Sequence, residues 1–97
     1  MGNLPELTVK HKTFARRFEV EKDGYHAVLE YQLEGGQIIF THTDVPEALG
    51  GQGIGPLLAR AGLDYAREQS LSVLPVCSYV AGYIQKHPEY QDLVKSR

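Results

Sequence analysis

The chain is predicted to be a single α+β domain: an antiparallel strand meander followed by a helix–strand–helix unit that adds a parallel strand pair. Three observations predict it. Apolar residues alternate with polar ones through residues 14–33, the period lengthens to that of a helix after residue 53, and a glycine cluster marks the change. At 97 residues the chain can bury one core and not two, so the domain is taken as residues 1–97.

The strands come first. "FARRFEVEK" sets Phe14, Phe18 and Val20 on one face against Arg17, Glu19 and Glu21 on the other, the pattern of a half-buried strand. Asp23-Gly24 then suits a tight hairpin turn. In "YHAVLEYQL", Ala27, Leu29, Tyr31 and Leu33 alternate with His26, Glu30 and Gln32, and Gly35-Gly36 makes a second turn. "QIIFTHTDV" is the third main strand, where alternation groups His42 with Ile38, Phe40 and Asp44, opposite Ile39, Thr41, Thr43 and Val45. The earlier "LTVKH" adds a short edge piece.

The helical half follows. "IGPLLARAGLDYAREQS" lines up Ile54, Leu58, Ala61 and Tyr65, with Arg60, Asp64, Arg67 and Glu68 on a wet face. Pro56 fits the first turn, where its missing N–H costs nothing. "LSVLPVC" reads as a buried fourth main strand, reached by a right-handed crossover. A second helix over "SYVAGYIQK" should stop at His87-Pro88, because the residue before proline disfavours helical geometry.

Composition narrows the function classes. With 42% apolar and 23% charged residues the chain is globular, and a net charge of -2 with no basic run argues against nucleic acid or a membrane surface as partner. A lone cysteine, Cys77, excludes an intrachain disulfide and fits a reducing compartment. Residues 1–6 lack an apolar signal core and no stretch nears the roughly 20 apolar residues of a membrane span, so a soluble, cytoplasmic protein is expected. His11, His26, His42 and His87 are scattered, so no metal site is expected. Arg16 and Arg17, on opposite faces of a strand, read as a solvated edge rather than an acidic-substrate patch.

The glycine cluster "ALGGQGIGPLLARAG" carries the chemistry. A helix N-terminus presents unpaired N–H groups and partial positive charge, so a phosphate binds there if side chains stay clear. Gly50, Gly51, Gly53 and Gly55 keep it clear. A Walker A loop would end in Gly-Lys-Ser/Thr, whereas Gly55-Pro56-Leu57 stands here. A dinucleotide fingerprint would put a third glycine where Pro56 or Leu58 stands, and an acidic residue about 20 residues on, where residues 71–76 hold none.

The remaining pattern, a G-x-G step before an amphipathic helix and after "HTDVPEAL", resembles the GNAT superfamily of acetyl-CoA-dependent N-acyltransferases. Its pyrophosphate motif, Gln/Arg-x-x-Gly-x-Gly/Ala, falls on Gly50, Gly51, Gln52, Gly53, Ile54 and Gly55, with Gly50 departing from the first position. "ARRFEVEKDG", "FTHTDVPEALGGQGIG" and "PVCSYVAGYIQKHPEY" extend the likeness, over nearly the whole chain, to the small, minimal family of that superfamily. The resemblance implies a minimal GNAT-like fold with the parallel pair at the coenzyme A cleft. It further implies acetyl-CoA as cosubstrate and an amine as acceptor. Thr43, Asp44 and Val45 would meet the pantetheine arm and thioester, and the backbone of residues 51–55 the pyrophosphate.

Acetyl transfer needs a neutral nucleophile, oxyanion stabilisation and a proton for the leaving thiolate. Cys77, between a strand and a helix start where a dipole favours the thiolate, is either a nucleophile carrying an acetyl intermediate or a small packing residue beside the coenzyme. His42 is either a base for the incoming amine or a histidine bonded within the sheet. Tyr83 is either the proton donor or a core or coenzyme-packing residue. Matching Cys77 to the superfamily's usual asparagine would place its tyrosine at Ile84, one position away. His87-Pro88-Glu89-Tyr90 reads as ending the helix and pinning the tail.

Most superfamily members place two helices between their first two strands as a roof over the acceptor. Here Asp23-Gly24 closes that connection. The expectation is an open cleft for a protein or peptide amine, or one completed by a partner or second subunit, in a monomer or weak dimer. The competing expectation is a non-catalytic coenzyme A-binding sensor or regulatory module.

Overall fold

Alternation and turn chemistry build the sheet. A computed structural model describes residues 7–94; residues 1–6, read above for a signal core, and 95–97 lie outside the described residues. Strands β1 (Lys10–Lys12), β2 (Arg17–Lys22), β3 (Tyr25–Glu34) and β4 (Gln37–Asp44) run antiparallel in chain order. β5 (Ser72–Pro75) adds beside β4 in parallel, giving one mixed sheet in an α+β fold. The turn between β2 and β3 holds Asp23 at φ 54° and Gly24 at φ 81°, the left-handed pair that a two-residue hairpin requires. Helix α1 (Ile54–Glu68) joins β4 to β5, and α2 (Ser78–Lys86) follows β5, as the spacing predicts. No helix among the described residues is long and apolar enough to cross a membrane.

The core lies between one sheet face and the helices. Phe18, Val20, Ala27, Leu29, Tyr31, Ile38, Phe40 and Val73 pack with Ile54, Leu58, Leu63 and Ala66 of α1 and Val80 and Ile84 of α2. Each large side chain buried there contributes about 1.5–3 kcal/mol. The buried stripe of α1 is Ile54, Leu58, Ala59, Gly62, Leu63 and Ala66, rotated from the predicted one, so Ala61 and Tyr65 are only partly buried. Gly62 is the reason. A Cβ there would lie 2.8 Å from Phe40 Cε1 and 3.0 Å from Leu29 Cδ2, so only glycine lets the helix come this close.

Four strand readings are corrected. Phe14 is fully exposed before β2, because the strand begins only where Arg17 pairs with Lys12 and Glu30. Arg16 sits in the same turn at φ 57°, so it is not a strand residue. Glu19 points away from the core but is buried, because Arg17 at 2.6 Å and Lys12 at 3.4 Å close over its carboxylate. Burial by itself would raise that carboxyl's pKa. The two cations outweigh it, and the net shift is downward. β5 is a sheet edge rather than a buried strand: Val73 is buried, while Leu74 is 42% exposed and Val76, just past its end, is 62% exposed.

A further correction bears on the site. β3 and β4 lose register between Glu30 and Tyr31: His42 faces Glu30, Phe40 faces Tyr31, and Thr41 is the extra residue of a β-bulge. A bulge reverses the alternation beyond it. Thr43, opposite Leu29, therefore joins the core face, while His42 and Asp44 turn to the other face, contrary to the simple alternation that grouped them with Phe40.

Candidate functional site

The bulge and the shortness of β5 together open the sheet. β5 pairs with β4 only as far as Phe40 and Pro75, and Cys77 N–H donates to Phe40 O at 2.8 Å as the last link between them. Residues 41–44 continue along β3 alone, so on the β5 side their backbone has no strand partner. Such an edge offers N–H and C=O groups to an extended ligand arm.

Cys77 stands at the apex of this opening. It is the residue before α2, partly exposed, and its Sγ lies 3.1 Å from Thr43 Oγ1. The reversal at Thr41 makes that contact possible, since without it Thr43 would face away. The structure thus brings Thr43 and Cys77 together. His42 is turned to the opposite face of the sheet.

The glycine cluster occupies the link from β4 to α1. After a short 3-10 turn at Glu47–Leu49, Gly51 and Gly53 adopt φ 78° and 76°, and Gly53 caps α1. A side chain would strain both positions. Gly55 differs: it lies inside the first turn, where a Cβ would be 2.7 Å from Tyr79 Oη on α2, so a side chain there would displace the end of that tyrosine. The first turn of a helix leaves N–H groups unpaired. Pro56 has none and Leu57 donates to Gly53 O, so those of Ile54 and Gly55 remain to hold an anion.

A groove runs on from the cluster between the two helices. One part, about 150 Å³, is lined by Gly53, Pro56, Leu57, Arg60 and Tyr83; the next, about 290 Å³, shares Pro56 and Tyr83 and reaches Tyr79, Lys86 and His87. Tyr83 stacks on His87 with ring centroids 4.0 Å apart. Burial raises the Tyr83 pKa, so its phenol stays protonated near neutral pH. Tyr83 is six residues beyond Cys77, about 9 Å along the helix axis, and belongs to the groove wall. Beyond it the tail is pinned as predicted. Burial, together with the bond that Tyr90 O–H donates to Asp64 at 2.7 Å, pushes the Tyr90 pKa up to about 12, and Arg67 donates to Asp92 and to Glu89 O.

Sequence reading missed three contributors. Lys22 reaches from the end of β2 to donate to Gln52 Oε1 at 2.8 Å, and Arg60 and Lys86 line the two parts of the groove. Their only signal is a cation on a polar face, which any solvated surface shares.

The comparisons agree with this architecture. The sequence model of the GCN5-related N-acetyl-transferase family matches residues 17–93. Protein NATD1 of Mus musculus is 38% identical over 85 residues, covering 84% of this chain and 77% of that protein, and Protein NATD1 of Homo sapiens is 38% identical over 84% of this chain and 75% of its own. The solution NMR structure of a GCN5-like candidate N-acetyltransferase from Staphylococcus aureus superimposes with a TM-score of 0.75 at 29% identity, covering 97% of this chain and 93% of that one. A family match over most of the chain, on a sheet that opens beside a glycine-led helix, makes this protein a member of the GCN5-related N-acetyltransferase family.

Proposed function

We propose that the chain binds acetyl-CoA and transfers its acetyl group to an amine. The carrying observation is the open β4 edge over residues 41–44, with Thr43 and Cys77 in contact at its apex. The pyrophosphate lies on the backbone of residues 51–55, where the left-handed glycines and the start of α1 favour an anion. The pantetheine arm follows Thr43, Asp44 and Val45, and the groove past Arg60 and Lys86 takes the remaining anionic part of the coenzyme.

Backbone N–H groups at the open edge stabilise the oxyanion as the nucleophile attacks the thioester carbon. Two routes share this geometry. The amine attacks directly, its N–C bond forming as the C–S bond breaks and the CoA thiolate takes the proton the amine loses; or Cys77 Sγ attacks first, forming an acetyl-cysteine thioester as the CoA thiolate leaves with the thiol's proton, and the amine then forms the N–C bond as the Cys77 S–C bond breaks and the cysteine takes back a proton from the amine. The short hairpin at Asp23 and Gly24 places no helices between β2 and β3, which suits a bulky acceptor such as a protein or peptide amine.

One observation favours the alternative of a non-catalytic coenzyme A-binding module. His42 faces away from Cys77, so the one histidine on β4 does not flank the thiol. Mass spectrometry of the protein mixed with acetyl-CoA, under native and denaturing conditions, separates these readings. A bound coenzyme mass is expected in the native spectrum. A +acetyl species that survives denaturation, absent from Cys77→Ala, supports the cysteine route. Release of free CoA in many turnovers with lysine peptides or polyamines supports transfer, and coenzyme binding with no turnover on any acceptor favours the module. No binding at all would overturn the proposal.

A further inference from the structure

The glycine loop carries no cation of its own. Residues 48–57 are Ala, Leu, four glycines, Gln, Ile, Pro and Leu, and Glu47 just before them is acidic. A diphosphate held there by N–H groups and a helix dipole alone would keep most of its charge uncompensated, since the dipole amounts to about half an elementary charge. The fold brings a cation from elsewhere. Lys22, the last residue of β2, is partly buried, and its Nζ donates to Gln52 Oε1 in the middle of the loop at 2.8 Å. No carboxylate lies within ion-pairing distance of it among the described residues.

We infer that Lys22 supplies a cation to the diphosphate subsite, held over the loop by Gln52. This rests on the proposed coenzyme A reading and adds to it a residue 30 positions away in sequence. The ammonium has three donors and Gln52 takes one, leaving two for phosphate oxygens. The tight turn at Asp23 and Gly24 fixes where the end of β2 lies, so the lysine stem starts from a rigid place. Lys22 touches the ligand's charge and not the reacting atoms, so it acts in binding.

The test is calorimetric titration of CoA into the parent chain, Lys22→Gln, Lys22→Arg and Gln52→Ala, at low and high salt. Lys22→Gln is expected to weaken binding roughly fivefold at low salt and to flatten its salt dependence, as loss of one partly exposed ion pair requires. Lys22→Arg should restore most of both, and the salt dependence is the part that a purely structural contact with Gln52 would not move. Gln52→Ala, which keeps the charge, should cost less than Lys22→Gln. Parent and Lys22→Gln binding CoA within twofold, with equal salt dependence, would overturn the inference and leave the coenzyme reading standing. A parent that does not bind CoA overturns that reading instead.

Discussion

The Thr43 hydroxyl lies 3.1 Å from the Cys77 sulfur, joining the end of β4 to the start of α2 across 34 residues of sequence. That contact should govern the cysteine's reactivity. A hydroxyl donating to sulfur stabilises the charge that develops on it during attack, at about 1 kcal/mol for an ordinary hydrogen bond. Thr43→Val is expected to slow alkylation of Cys77 by iodoacetamide roughly fivefold at neutral pH, with unfolding by urea little changed. An equal or faster rate would show that the hydroxyl accepts rather than donates.

Glycines 62 and 82 should respond oppositely to the same substitution. Gly62→Ala drives a methyl into Phe40 and Leu29 and should destabilise the fold by about 1–3 kcal/mol. Gly82, in the middle of α2, has nothing within 4 Å of an added Cβ, so Gly82→Ala should stabilise by about 0.5–1 kcal/mol through helix propensity. Urea midpoints of the two variants, moving in opposite directions from the parent, check both.

His11 should make stability depend on pH. Its ring stacks on Phe18 at 4.0 Å and bonds Tyr31 Oη at 2.7 Å, and burial lowers its pKa below 6.5. The unfolded chain therefore binds the proton more readily than the folded one. This contribution is fully present above about pH 6.5 and is lost as pH falls through the lower, folded-state value. The melting temperature of the parent should fall between pH 7 and 5, and the fall should shrink in His11→Phe. A variant with the same slope as the parent would assign the dependence to other groups.

Tyr83 should prove a wall residue. With its backbone position about 9 Å along the axis of α2 from Cys77 and its ring in the groove wall, Tyr83→Phe is expected to keep the acetyl-transfer rate within twofold and to retain coenzyme binding. Tyr83→Ala should weaken binding by opening the groove shared with Pro56. A drop of 10²-fold or more in kcat for Tyr83→Phe alone would instead identify it as the proton donor.

Much of the fold was legible before any coordinates. The alternation in β3, the Asp-Gly and Gly-Gly turns, the glycine cluster before α1 and the His-Pro stop after α2 are local signals, each set by backbone sterics within a few residues, and they hold. The quoted motifs also pointed to the family that the comparisons establish.

What sequence by itself determined is therefore the order of elements, the mixed sheet with its parallel pair and the glycine loop before α1. Tertiary structure decided where the chemistry points. The bulge places Thr41 as an extra residue of β4 opposite β3, and that residue turns Thr43 toward Cys77 and His42 away. Close packing at Gly62 rotated the buried face of α1, and neighbouring cations closed over Glu19. Lys22 met Gln52 for the same reason: such contacts depend on pairing and packing between distant segments, which no local period records.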